Sequence, residues 1–434
     1  MPWVVLSPGN GATGSRALPR QGELLHKAKL AVTGQNLNPC PAFAIESDMR
    51  TERLKIGITC YPTYGGSGVV ATELGLELAQ RGHDVHFISY AQPIRLTGSS
   101  ANVHYHEVEV SRYPLFDYPP YDLALATRMA EVSELYELDL LHVHYAIPHS
   151  VSAMLARQML AAGPKHRKLP FVTTLHGTDI TLVGQDRSYL PITRFSIEQS
   201  DGVTAISEYL RERTVREFEV KNHIQVIYNF VNCDVYCRKK GKELEDQRAE
   251  YAPNGERILV HVSNFRPVKR VTDVIEIFDR VRKQIPAKLL LLGDGPDRSP
   301  AEWLAVQKGI HNDVIFLGKR EQVYETLGIS DVLLLPSELE SFGLAALEAM
   351  ASEVVPIATS VGGVPEVIEN GTGFLADVGD IETMARYAIE ILSEEGRLRE
   401  IGKKCRASAQ KRFCTTKIIP QYEDFYRRVL ERSS

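Results

Sequence analysis

The chain has 434 residues, too many for one ordinary hydrophobic core and enough for two domains of about 150–200 residues. Hydrophobic residues make up 44% and charged residues 24%, as in a soluble globular protein, and no run reaches the roughly 18 apolar residues of a membrane span. The net charge of −5 leaves no global basic excess for nucleic acid or an anionic membrane, so any anion site must be built locally.

Residues 1–50 are rich in Gly, Pro, Ser and Ala and lack periodicity. The run Trp3–Leu6 is too short for a signal peptide and has no basic segment before it. A disordered extension, or a mis-assigned upstream start with Met49 as the true one, is expected there. Cys40, Cys60, Cys233, Cys237, Cys405 and Cys414 form no CxxC pair and have no zinc-ligand spacing, so reduced thiols and a cytoplasmic location are expected.

From Leu54 short β-branched runs alternate with helical stretches. Leu54–Cys60 reads as a strand, Gly66–Arg81 as a helix burying Val70, Leu74 and Leu78, and Asp84–Ser89 as a strand. Leu140–His144, a helix near Ser150–Leu160, and Phe171–His176 follow. This alternation predicts a parallel sheet flanked by helices, with ligands outside the carboxyl ends of its strands.

Gly65-Gly66-Ser67-Gly68 lies between the first strand and its helix, where backbone N–H groups and the helix dipole can meet a phosphate. A tight turn is the plain alternative. The motif is not GxGxxG, and no acid set to hold a cofactor ribose follows, which disfavours a nicotinamide cofactor. His176 closes a strand, where it could hydrogen-bond a sugar hydroxyl, stabilise developing charge, or be purely structural. His142, His144 and His149 lack the carboxylate spacing of a metal site, and the chain contains no Asp-x-Asp.

A second unit begins after Ile224–Phe230, with the boundary near Asn229–Cys233. Residues 237–256 are charged and read as surface helix and loop. Arg257–Ser263, Lys288–Gly293, Val314–Leu317, Val332–Pro336 and Val354–Thr359 read as strands, and Val271, Val274, Ile275, Phe278 and Val281 as a helical stripe. Arg266, Lys269 and Arg270 sit where that helix begins, unfavourably unless an anion binds; a solvated basic turn is the plain alternative. Glu340 precedes, and Glu348 lies inside, a nearly all-apolar helix over Phe342–Ala351, including Gly343 and Leu344. A buried carboxylate needs donors, which sugar hydroxyls or protein groups can supply. Gly362-Gly363-Val364-Pro365-Glu366 could bring backbone to a ligand or form a turn, and Thr416–Arg432 reads as an amphipathic helix.

Taken together these segments resemble the retaining glycosyltransferases of family 4, which have the GT-B fold: an α/β architecture of two Rossmann-like domains facing a cleft. The similarity spans roughly residues 53–432. It rests on Arg266 with Lys269, Gly293–Pro296, Phe316–Gly318, Pro336-Ser337, the Glu340/Glu348 pair and Gly362–Glu366. It implies an acceptor domain over 53–228, a donor domain over 229–414, and a last helix over 415–434 crossing back to the first. Ile58–Gly68, His104–Val110, Tyr118–Asp122 and His144–His149 are similar to the branch that opens bacillithiol biosynthesis. That likeness implies UDP-N-acetylglucosamine as donor and L-malate as acceptor, with no metal and no cofactor.

Carried over by position, Arg266 and Lys269 would neutralise the diphosphate, Glu348 would hold the ribose, and Glu340 and His176 the transferred sugar. Gly65, Gly66, Phe342, Gly343 and Leu344 would border the donor. Ser67, Tyr145, Thr174 and Asn264 would contact the acceptor. Rival readings are a family 4 enzyme with an inositol phosphate or lipid acceptor, a UDP-sugar epimerase, and a non-catalytic UDP-sugar sensor. One departure is Glu353, where relatives carry Gly; a non-Gly residue would strain a left-handed helix cap there.

Overall fold

The computed structural model describes residues 53–63, 65–96, 100–110, 118–181 and 183–433; the expectations for residues 1–50 lie outside these. Seven strands form one sheet: β1 (Lys55–Thr59), β2 (Asp84–Ser89), β3 (Val103–Glu107), β4 (Leu140–His144), β5 (Phe171–Leu175), β6 (Gly202–Ala205) and β7 (Ile224–Val226). Six form another: β8 (Arg257–Val262), β9 (Ala287–Leu292), β10 (Val314–Gly318), β11 (Val332–Leu335), β12 (Val355–Thr359) and β13 (Phe374–Ala376).

The spatial orders are β3-β2-β1-β4-β5-β6-β7 and β10-β9-β8-β11-β12-β13, with every pair parallel. Strands such as β11, Val-Leu-Leu-Leu, are buried on both faces, as helix-covered parallel sheets require. This is the expected α/β architecture. Strands β3, β6 and β13 carried no sequence signal strong enough to name. The first is a half-exposed edge strand, and the other two have four and three residues.

Each sheet reverses its strand order once, at β1/β4 and at β8/β11. Loops leaving the carboxyl ends of these strands diverge and leave a crevice between them.

The last helix, Thr415–Ser433, returns to the first half. Its Ile418, Ile419, Tyr422 and Tyr426 share a core with Ile58, Val70 and Leu74. Within it Glu423 is buried, accepting from Arg81 Nε and Nη2, each at 2.8 Å, and pairing with His83 Nε2 at 3.1 Å. The charged stretch forms a surface helix, Gly241–Tyr251, with no buried residue. The helix Leu344–Ala351 is buried, as its composition predicts. Glu353, just past it, has φ of 60°, the left-handed conformation expected of glycine. Among the described residues no helix is long and apolar enough to cross a membrane. The described cysteines, Cys60, Cys233, Cys237, Cys405 and Cys414, are free thiols.

Candidate active site

Both reversal points open on one cavity of about 830 Å3. The loop after β1 contributes Gly65, Gly66 and Ser67; Tyr145 follows β4 and His176 follows β5. From the other side come Asn264, Arg266 and Lys269 after β8, and Glu340, Phe342, Gly343 and Leu344 after β11. A neighbouring cavity of about 260 Å3 shares Gly65, Gly66, Asn264, Lys269, Glu340 and Leu344 and adds Gly293 and Glu348. Thr174 is the exception among the expected residues. It lies within β5 rather than beyond its end, fully buried, with Oγ1 bonded to His142 Nε2 and Thr204 Oγ1, each at 2.7 Å. It therefore holds the sheet together and does not face the cleft.

Two helices begin at this cleft. Gly66–Gln80 starts at Gly65, and Leu344–Ala351 starts at Gly343; neither has a side-chain cap or an acid in its first turn. By contrast, Ser207 Oγ caps Glu208–Phe218. Gly343 has φ of 93°, which favours glycine and turns the chain sharply into its helix. A Cβ placed on Gly66 would lie 3.5 Å from Leu344 Cδ2, so the two starts adjoin. Uncapped N–H groups and two positive helix ends thus face one space, which suits an anion.

Two cations join them. Arg266 is exposed, and its guanidinium makes no hydrogen bond or ion pair among the described residues. Lys269 closes a short turn, Pro267–Lys269, and its Nζ lies 2.5 Å from Glu340 Oε1. Ser337 Oγ donates to the same oxygen at 2.9 Å. Arg270, the third cation of the sequence cluster, is instead committed to Asp273 Oδ2 at 2.7 Å.

Glu348 is 7% exposed. Burial raises its pKa, while Arg95 and a hydrogen bond from Tyr236 lower it. Tyr236 OH donates to Glu348 Oε1 at 2.7 Å and accepts from Arg95 Nη2 at 3.0 Å; Arg95 Nη1 also pairs with Glu73 at 3.2 Å. The sequence reading missed Tyr236 and Arg95, which lie in segments without periodicity.

His176 Nε2 and His144 Nδ1 are 2.8 Å apart. Burial pushes the His176 pKa down to about 3, so it is neutral near pH 7 and can offer a hydrogen bond but not a charge. His142 is structural, holding Tyr426 OH at 2.7 Å through Nδ1. Asp179 shapes the His176 turn by accepting from Gly177 N and Ala146 N, each at 2.9 Å.

On the acceptor side, Ser67 Oγ and Tyr145 OH are 2.7 Å apart, and Tyr145 has φ of 93°. Such backbone outliers concentrate at functional sites. Asn264 Oδ1 and Asn229 Oδ1 are buried without partners among the described residues, and both residues line the cleft. Asn229 was not anticipated.

The segment Gly362–Glu366 serves the cleft indirectly. A Cβ on Gly362, whose φ is 56°, would fall 1.7 Å from Glu340 O, so glycine lets this loop press against the Glu340 backbone. Glu366 reaches the other half, accepting from Glu208 N at 2.8 Å and Tyr209 N at 2.9 Å. Neither reading from sequence, ligand approach or plain turn, included this tie.

Comparison with known proteins gives a consistent result. Residues 243–412 match the family described as Glycosyl transferases group 1, and residues 64–235 match Glycosyltransferase Family 4. N-acetyl-alpha-D-glucosaminyl L-malate synthase of Bacillus anthracis is 49% identical over 380 residues, covering 87% of this chain and 98% of that protein. An uncharacterized glycosyltransferase of Methanocaldococcus jannaschii is 26% identical, covering 70% of this chain and 79% of its own. Among solved structures, sucrose-phosphate synthase from Thermosynechococcus elongatus has a TM-score of 0.70 at 22% identity, covering 88% of this chain and 100% of the other. Anabaena HepE in complex with UDP and glucose has a TM-score of 0.70 at 19% identity, covering 86% and 99%. These neighbours share the GT-B fold.

Proposed function

The chain belongs to glycosyltransferase family 4, and from that premise we propose that it moves N-acetylglucosamine from UDP-N-acetylglucosamine to the hydroxyl of L-malate. The transfer retains the anomeric configuration and needs no metal. One observation carries this reading: two uncapped helix starts, Arg266 and Lys269 converge on one space, with Glu340 and Glu348 beside it. The choice of substrates rests on the relative from Bacillus anthracis, whose name specifies both the sugar and malate.

In this mechanism Arg266, Lys269 and the helix N–H groups bind the diphosphate and stabilise the charge of departing UDP. Such prearranged electrostatics is often the largest catalytic contribution. Glu348 takes the ribose hydroxyls and Glu340 the sugar, exchanging part of its contact with Lys269 for the donor. Ser67 and Tyr145 face the acceptor. The malate hydroxyl oxygen bonds to the anomeric carbon on the face that UDP leaves, through an oxocarbenium-like state. The anomeric carbon–phosphate oxygen bond breaks, and a donor phosphate oxygen takes the hydroxyl proton.

Incubation with UDP-N-acetylglucosamine, with and without L-malate, tests this. Malate-dependent UDP release with an α-linked product is expected. Release of another hexosamine without acceptor would indicate an epimerase. Transfer only to an inositol phosphate or lipid would replace malate, and binding without turnover on any acceptor would indicate a sensor. A β-linked product or a trapped glycosyl-enzyme would overturn the mechanism.

A further inference from the structure

We propose that the amino ends of β2 and β3 carry a binding site for a divalent transition-metal cation, Zn2+ by preference, formed by Asp84, His86 and His104. Asp84 opens β2, and the register pairs His86 with His104, so alternation puts all three side chains on one face of the sheet edge. One ligand atom from each lies within 4.8 Å of the others. Asp84 Oδ1 is 2.9 Å from His104 Nε2 and 3.8 Å from His86 Nε2. A tetrahedral Zn2+ with bonds of about 2.0–2.1 Å sets its ligands about 3.3–3.5 Å apart, so these separations straddle the required value.

His86 provides a second, independent observation. Its side chain is 1% exposed, and its Nε2 is buried without a hydrogen-bond partner among the described residues, on the side facing Asp84. Its other nitrogen, Nδ1, lies 2.9 Å from His106 Nε2. When Nδ1–H donates to His106, Nε2 carries a bare lone pair directed at the cluster. Histidine ligands are ordinarily oriented in this way, by a hydrogen bond through the nitrogen away from the metal. The rings of His86 and His106 also pack on Tyr136, at centroid distances of 4.6 and 5.0 Å, which fixes them further.

The site is reachable: the side chains of His104 and Asp84 are 35% and 17% exposed, leaving room for a water as fourth ligand. Arg53 pairs with Asp84 Oδ2 at 3.3 Å, while Oδ1 and His104 Nε2 share a hydrogen bond at 2.9 Å whose proton a bound metal would replace. Two imidazoles and one carboxylate suit Zn2+ and its neighbours Co2+, Ni2+ and Cu2+ far better than Mg2+ or Ca2+. The site lies at the opposite end of the strands from the cleft. The metal therefore clamps edge strand β3 to β2 and takes no part in transfer.

The test is titration of the untagged, chelator-stripped full chain with Zn2+ by calorimetry and with Co2+ by visible absorption. One equivalent should bind, with the Co2+ spectrum of a tetrahedral site and a Zn2+-dependent rise in Tm. His104→Ala and Asp84→Asn, at partly exposed positions, should weaken binding at least about 100-fold. His106→Ala, which removes the orienting bond and its ring packing but no metal ligand, should weaken it about 10–100-fold. His176→Ala, in the cleft, should bind as wild type. No binding to the wild type, full binding in His104→Ala and Asp84→Asn, or loss of binding in His176→Ala would overturn the proposal.

Discussion

Lys269 Nζ lies 2.5 Å from Glu340 Oε1, which joins the principal buried-side cation of the cleft to its principal acid. The pair is partly buried, with side-chain exposures of 18% and 13%, so each partner holds the other in position. A diphosphate entering the cleft would share Lys269 with Glu340 and release part of that carboxylate to sugar hydroxyls.

Lys269→Ala should keep the fold and lose turnover. Removing one preorganised donor to a developing anion costs about 100–1000-fold in kcat. Steady-state kinetics beside a thermal melt checks this; wild-type kcat would remove Lys269 from the chemistry.

Glu348→Gln should weaken UDP binding by about 10–100-fold, since hydrogen bonds to a charged group contribute about 1.5–3 kcal/mol. Glutamine preserves the volume and can still accept from Tyr236, so Tm should hardly move. Calorimetric titration with UDP separates this outcome from a purely structural role, which would alter Tm and spare affinity.

Glu366→Ala should destabilise the protein by about 1 kcal/mol, because it strips the acceptor from Glu208 N and Tyr209 N at a helix start. It should also loosen the two halves. A larger radius of gyration in solution scattering, reversed by saturating UDP, is the expected signature; an unchanged melt and radius would contradict it.

Glu423 supplies a pH dependence. Burial alone would raise its pKa, but hydrogen bonds from His83 and Arg81 bring it from 4.5 down to about 2. A depressed folded pKa stabilises the fold fully above about pH 4.5 and loses that contribution as pH falls toward 2. The wild-type Tm should drop across that window, and Glu423→Gln should start lower at pH 7 and change less. Parallel Tm curves for the two proteins would exclude the effect.

Glu353→Gly should raise stability by about 0.5–1 kcal/mol, since it relieves a left-handed backbone at a helix end. Denaturant melts read this directly; a lower midpoint would show that Glu353 makes a compensating contact.

The cleft was legible in the sequence where chemistry follows a recognisable strand end. Gly65, Lys269 and Glu340 each lie just beyond a strong apolar run, so their place at the cleft could be read from order alone. Thr174 was misplaced because sequence does not separate a strand's interior from the residues beyond its end, which decides whether a side chain meets sheet or ligand. The Tyr236–Arg95 support of Glu348 was not legible, since it joins positions 141 residues apart through one hydrogen bond. The Glu366 tie was hidden for the same reason. Glu353 was legible only through the family resemblance, which places Gly at that position.

The central claim is that this cleft grips a diphosphate through Arg266 and Lys269. Calorimetry of UDP against uridine, on wild type and on the Arg266→Ala/Lys269→Ala double variant, tests it most directly. The wild type should bind UDP at least about 100-fold more tightly than uridine, from two charge-assisted contacts, and the double variant should shrink that gap by at least about tenfold. An undiminished gap in the double variant would show that the diphosphate is held elsewhere.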